Sequence, residues 1–163
     1  MNVLICGTLD SSAANEELDI VNELAHALTK QGYIVDVFML PFNPYFKLIP
    51  EQIVAMRLFN IHFADILITI GYPALFISHP RKSSYLFETP PMLHEFQNNN
   101  PEFDRVKNAV IEAERRCLHE TGTIVCSSLY LQNELQEHYG ILSECYAYEA
   151  ATIDNLVKRL VNV

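Results

Sequence analysis

Two stretches of this chain, Val3-Leu4-Ile5-Cys6 and Ile66-Leu67-Ile68-Thr69-Ile70, are unbroken apolar runs, too short to be helices and each followed by a glycine, Gly7 and Gly71. A strand that is apolar on both faces is satisfied only where both faces are covered, as in a parallel sheet lying between layers of helices. The intervening segments supply those helices. From about Ala14 to Gln31, Leu18, Val21, Leu24, Ala25 and Leu28 recur at spacings of three and four, and Gly32 stands where a C-terminal cap belongs.

The rest of the chain repeats the alternation. Tyr33 to Leu40 reads as a second strand, stopped by Pro41-Phe42-Asn43-Pro44, and Pro50 opens a helix through about Asn60 with Ile53, Met56 and Phe59 along one side. Ser84-Tyr85-Leu86-Phe87 is expected as a fourth strand, and Gln97 to Pro101 as a polar loop. Val106, Val110, Ala113 and Cys117 define a helix from about Phe103 to His119, and Thr123 to Cys126 forms strand five. Ser127-Ser128 then caps a helix carrying Leu131 and Leu135 that ends at Gly140. Cys145-Tyr146-Ala147 is a weak sixth strand, and Ile153, Leu156, Val157 and Leu160 line a last helix. Six strands separated by helices predict an α/β, doubly wound, Rossmann-like parallel sheet, built as one domain over residues 1–163.

Charge narrows the partners. Eleven Lys+Arg against twenty Asp+Glu give a net charge of −9, which provides no basic face for nucleic acid or for an anionic membrane surface. The start of the chain has no positive leader and the longest apolar run is far short of the roughly 20 residues that span a bilayer, so a cytoplasmic location is expected. Cys6, Cys117, Cys126 and Cys145 have neither C-x-x-C spacing nor the density of a secreted scaffold, so they read as core thiols, with no disulfide and no zinc.

In a doubly wound sheet, ligands bind beyond the carboxyl ends of the strands, near the point where strand order reverses. After strand one comes Gly7-Thr8-Leu9-Asp10-Ser11-Ser12-Ala13-Ala14. A glycine turn followed by hydroxyls at a helix start can offer N–H groups and a helix dipole to an anion. Gly7, Asp10, Ser11 and Ser12 are therefore candidate ligand contacts, against a plain turn in which Asp10, Ser11 or Ser12 caps the helix. The loop lacks G-x-G-x-x-G and the lysine of a P-loop. Glu88 and Thr89, after strand four, could hold sugar hydroxyls or supply a general base, or could be an exposed acid at a helical turn. His79-Pro80-Arg81-Lys82 reads as a solvated basic turn rather than a phosphate clamp. His26, His62, His119 and His138 have no metal-ligand spacing, and no nucleophile elbow or acidic metal cluster appears.

Taken in order, these segments resemble a known family. Asn2 to Asp10, the Glu17 to Gly32 helix leading into Tyr33 to Phe38, and Leu40-Pro41-Phe42-Asn43-Pro44 look like the amino-terminal domain of a family 4 glycosyltransferase of the GT-B fold. Ala64 to Ile68, Tyr72-Pro73-Ala74, His79 to Lys82, Tyr85-Leu86-Phe87 and the stretch from Glu112 to Ser127 match the same pattern. The resemblance covers about residues 1 to 148. It implies hexosyl transfer from a nucleotide-sugar in polysaccharide or glycolipid synthesis. In that family the amino-terminal domain mainly takes the acceptor, and a carboxyl-terminal domain holds most of the donor. The expectation is thus an acceptor-side half, active only beside a donor-binding domain or partner chain, with no cofactor of its own and a sugar or glycolipid acceptor.

Two departures stand out. Ala13-Ala14 occupies a place where the family usually has Gly-Gly, and Glu88 stands where a histidine often contacts the donor sugar. A carboxylate beside an anionic nucleotide-sugar repels it. These features also fit a non-catalytic glycosyltransferase-like scaffold, and the Gly7 to Ser12 loop permits a flavodoxin-like nucleotide-binding protein. Phe42, Tyr45, Phe46, Phe76 and Phe96 are expected either to mark a docking face or to pack their own loops.

Overall fold

The computed structural model describes residues 1–9, 14–43, 45–87, 101–147 and 152–163. Six strands, β1 (Asn2–Leu9), β2 (Ile34–Pro41), β3 (Ile66–Ile70), β4 (Lys82–Leu86), β5 (Thr123–Cys126) and β6 (Glu144–Cys145), form one all-parallel sheet in the order β2-β1-β3-β4-β5-β6. The helices are α1 (Ala14–Lys30), α2 (Ile49–Arg57), α3 (Pro101–His119), α4 (Leu129–Tyr139) and α5 (Ile153–Leu160). One face of the sheet packs Val3, Ile5, Ile66, Ile68 and Val125 against Val21, Leu24 and Leu28 of α1 and Leu156 and Leu160 of α5. The opposite face packs Leu4, Cys6, Leu67 and Cys126 against α2, α3 and α4 through Ile53, Met56, Val110, Leu131 and Leu135. The α/β doubly wound architecture expected from the alternating runs is the one observed.

Local boundaries follow identifiable causes. Gly32 and Gly140 take left-handed φ of 89° and 69° just beyond α1 and α4, releasing the chain from each helix. Ser128 caps α4, its hydroxyl accepting the Leu131 N–H at 3.2 Å. Pro41 does not stop β2 short: it is the last residue of that strand, on a sheet edge where a missing N–H costs no ladder bond.

β6 covers Glu144–Cys145 rather than Cys145 to Ala147, α2 ends at Arg57 rather than near Asn60, and two further strands differ from the sequence reading. β1 does not end at Gly7 but runs through it to Leu9, in continuous register with β2 from Asn2↔Ile34 to Leu9↔Pro41. Gly7 is thus a strand residue, not a turn. β4 begins at Lys82 rather than Ser84 and is buried at every position although three of its five residues are polar. It is satisfied internally, which is how a polar strand can be a central one. Ser83 Oγ donates to the Leu160 carbonyl at 2.6 Å, Ser84 and Thr69 hydroxyls meet at 2.6 Å, and Lys82 Nζ donates to the carbonyls of Leu75, Ile77 and Cys117.

Candidate functional site

Strand order reverses between β1 and β3, because the chain runs outward to β2 on one side and to β4, β5 and β6 on the other. At the carboxyl ends of those two strands stands Glu17, from the first turns of α1 and only 4% exposed. Its Oε1 accepts the Thr8 backbone N–H, and a Cβ on Gly7 would lie 3.0 Å from that oxygen. A Cβ on Gly71, just past β3, would lie 3.5 Å from Oε2 and 2.8 Å from the Phe87 ring. Glycine at both positions therefore leaves room for one carboxylate between the two strand ends. At Gly71 the backbone also requires it, since φ is 66°.

The neighbouring walls are tightly tied. Gly71 N–H donates to the Tyr85 carbonyl at 2.8 Å, Tyr72-Pro73 is a cis peptide, and Ser127 Oγ donates to the Phe87 carbonyl at 3.2 Å. Thr8 is 2% exposed and its hydroxyl has no hydrogen-bond partner among the described residues. Cys6, below it in β1, is chemically quiet, because burial pushes its thiol up to about 12.

This arrangement corrects the reading of Gly7 as a turn residue. Gly7 lies inside the strand, and the first N–H beyond it, that of Thr8, is already held by a carboxylate. An anionic phosphate at this point would compete with Glu17 for that donor. Asp10, Ser11, Ser12, Glu88 and Thr89 lie outside the described residues, as do Ala13 and Phe96.

A second polar cluster sits behind the crevice. Glu114 of α3 is fully buried; its Oε2 accepts the Tyr139 hydroxyl from α4, and the Tyr72 phenol lies against the same carboxyl. Burial raises the Glu114 carboxyl to about 7, against the hydrogen bonds of the two phenols, and drives both phenols upward.

The cations read as a solvated turn are elsewhere and otherwise engaged. Lys82 is 1% exposed, and burial lowers its ammonium to about 8. Arg81 Nε donates to the Val163 carbonyl at 3.1 Å, and the two sit where β4 begins, at the end of the sheet opposite the crevice. Of the aromatics expected to mark a docking face or pack their loops, Phe76 is buried, Phe42 and Phe46 pack against the core, and Tyr45 is more than half exposed. Ordinary loop packing accounts for the first three. His26, His62, His119 and His138 are all exposed.

Sequence reasoning missed the roles of Glu17 and Glu114 and placed Lys82 in a solvated turn where it is buried. A signal existed for the acids: Glu17 precedes Val21 by four residues and Glu114 follows Val110 by four, so each stands on an apolar helix stripe. Among the described residues no group of His, Cys, Asp and Glu could hold a metal ion, and no helix is long and apolar enough to cross a membrane.

Fold and crevice together define a doubly wound parallel α/β protein with a carboxylate at its switch point. Set against models of known protein families and against curated protein sequences, the chain matches none.

Proposed function

We propose that this chain is the acceptor-side lobe of a GT-B type glycosyltransferase, taking part in hexosyl transfer beside a donor-binding domain or partner chain that holds the nucleotide-sugar phosphates. The observation that carries the reading is the Glu17 carboxylate set between Gly7 and Gly71 at the strand reversal, holding the Thr8 N–H. A buried carboxyl group beside a threonine hydroxyl that has no hydrogen-bond partner among the described residues suits a neutral, hydroxyl-rich ligand. The order of motifs along the chain supports the same family by resemblance, and the fold is compatible with it while not selecting it. Glu88 and Thr89, which follow β4 in the sequence, are proposed as further substrate contacts, together with Asp10, Ser11 and Ser12.

Calorimetry with UDP- and GDP-sugars tests the division of labour. The chain alone should give no binding heat, and tight binding would favour a nucleotide-binding protein instead. In the assembled enzyme, Glu17→Gln, Ser11→Ala and Glu88→Ala should each lower hexosyl transfer at least about tenfold while leaving circular dichroism and melting unchanged. A stable complex whose transfer ignores all three substitutions would make the chain a scaffold and end the catalytic reading.

A further inference from the structure

The geometry points to Cys126 and Cys145 as a redox-active thiol pair that closes reversibly to a disulfide and staples the edge strand β6 to β5. The two residues are register partners on adjacent parallel strands. In-register neighbours of a parallel pair project to the same face, and both side chains belong to the core face covered by α2, α3 and α4. Strand spacing of about 4.8 Å places their Cα atoms inside the roughly 4.4–6.8 Å range that a disulfide spans. All four cysteines are free thiols, so the pair stands in its reduced form.

The two thiols differ in a way that orders the chemistry. Cys145 is half-buried on a two-residue edge strand and can be reached from solvent, whereas Cys126 is buried. Its Sγ lies 3.4 Å from the Glu144 carbonyl and 3.5 Å from Ser143 Oγ, so it already faces the β6 segment. Burial raises the Cys126 thiol, and Cys145 is close enough to contribute to that rise. Cys145, the more accessible of the two, therefore attacks first as its thiolate. With a small disulfide such as oxidised glutathione, it bonds to one sulfur and the other leaves as a thiolate. Cys126 then gives up its proton and attacks Cys145 Sγ, expelling the second thiolate. The protein loses two hydrogens and two electrons; the oxidant becomes two thiols.

The Cβ atoms of parallel neighbours stand about 5 Å apart, wider than the ~3.8 Å typical of a bridged pair, so the closed form carries strain and is easily reduced. Such a bond is regulatory in character rather than structural. β6 is also the element able to give, since it is held by two register pairs, the Tyr146 N–H to Cys126 carbonyl bond at 2.7 Å and the Arg159–Glu144 ion pair. Closing the pair fixes Tyr146, whose carbonyl accepts from the Tyr85 hydroxyl, and with it the outer end of the sheet.

Native protein incubated with oxidised glutathione, then alkylated and digested with a Glu-specific protease that cuts at Glu134, Glu137 and Glu144 between the two cysteines, tests this. The expected result is loss of two of the four thiols, a joined peptide pair through Cys126 and Cys145 lacking two hydrogens, and full recovery with dithiothreitol. Cys126→Ser should stop at a stable glutathione adduct on Cys145, and Cys145→Ser should leave Cys126 unreacted. A stable Cys145 adduct in the wild-type chain, no reaction of the folded protein, or bridging to Cys6 or Cys117 would each overturn the proposal. The wild-type result decides by itself should either variant fail to fold.

Discussion

Glu114 and Lys82 place opposite charges in the core without placing them against each other, and each titrates in the range where proteins are handled. For Glu114 the folded carboxyl is raised from 4.5 to about 7, so the native state binds more protons than the unfolded chain between those values. Its contribution is present below the unfolded value and is lost as pH rises through 7. Glu114→Gln retains an acceptor for the Tyr139 hydroxyl and removes that loss. Urea denaturation should find the variant gaining on wild type by on the order of 3 kcal/mol between pH 5 and pH 8, and a pH-independent difference would contradict the burial argument. The groups facing this carboxyl are the Tyr72 and Tyr139 phenols, with Cys117 beside Tyr72 and Arg115 beside Tyr139.

Lys82 has the opposite sign. Its ammonium is lowered from 10.5 to about 8, so the unfolded chain binds more protons in that window and stability rises with pH across it. Lys82→Met strands the Leu75, Ile77 and Cys117 carbonyls and should cost about 2 kcal/mol near neutrality. The gap to wild type should widen as pH climbs from 8 to 10.5, because only wild type gains there. A constant gap in chemical denaturation would refute the shift.

At the scale of the element, glycines separate two kinds of cost. Gly32 and Gly71 both have left-handed φ, 89° and 66°, yet nothing lies within 4 Å of a Cβ at Gly32, while one at Gly71 would meet the Phe87 ring at 2.8 Å. Gly32→Ala should cost about 1 kcal/mol, the left-handed penalty alone. Gly71→Ala should cost clearly more, because Phe87 and the crevice wall must shift as well. Equal losses in denaturation would mean that the wall gives freely. The same element view explains why β4 was misplaced by its sequence. A run of Lys-Ser-Ser looks like a turn until folding supplies the nearby Leu75 and Ile77 carbonyls, the Thr69 hydroxyl and, from far along the chain, the Cys117 and Leu160 carbonyls.

For the molecule as a whole, apolar periodicity was enough to specify the layers. Unbroken runs such as Val3 to Cys6 and Ile66 to Ile70 demand cover on both faces, and stripes such as Val21, Leu24 and Leu28 provide it, so the α/β class and most element positions follow from local spacing. The candidate site was only partly legible. A ligand site could be expected beyond the carboxyl ends of the strands, but the turn expected at Gly7 proved to be strand, because pairing with all eight residues of β2 carries β1 on to Leu9.

What the sequence determines alone is the order of strands and helices, since hydrophobic period and capping residues act over a few positions and need no distant partner. Tertiary structure decided the roles of the polar residues. Glu17, Lys82 and Glu114 acquire their meaning from burial and from partners brought in by folding, and a charge's environment is a property of the assembled interior rather than of the neighbours it has along the chain.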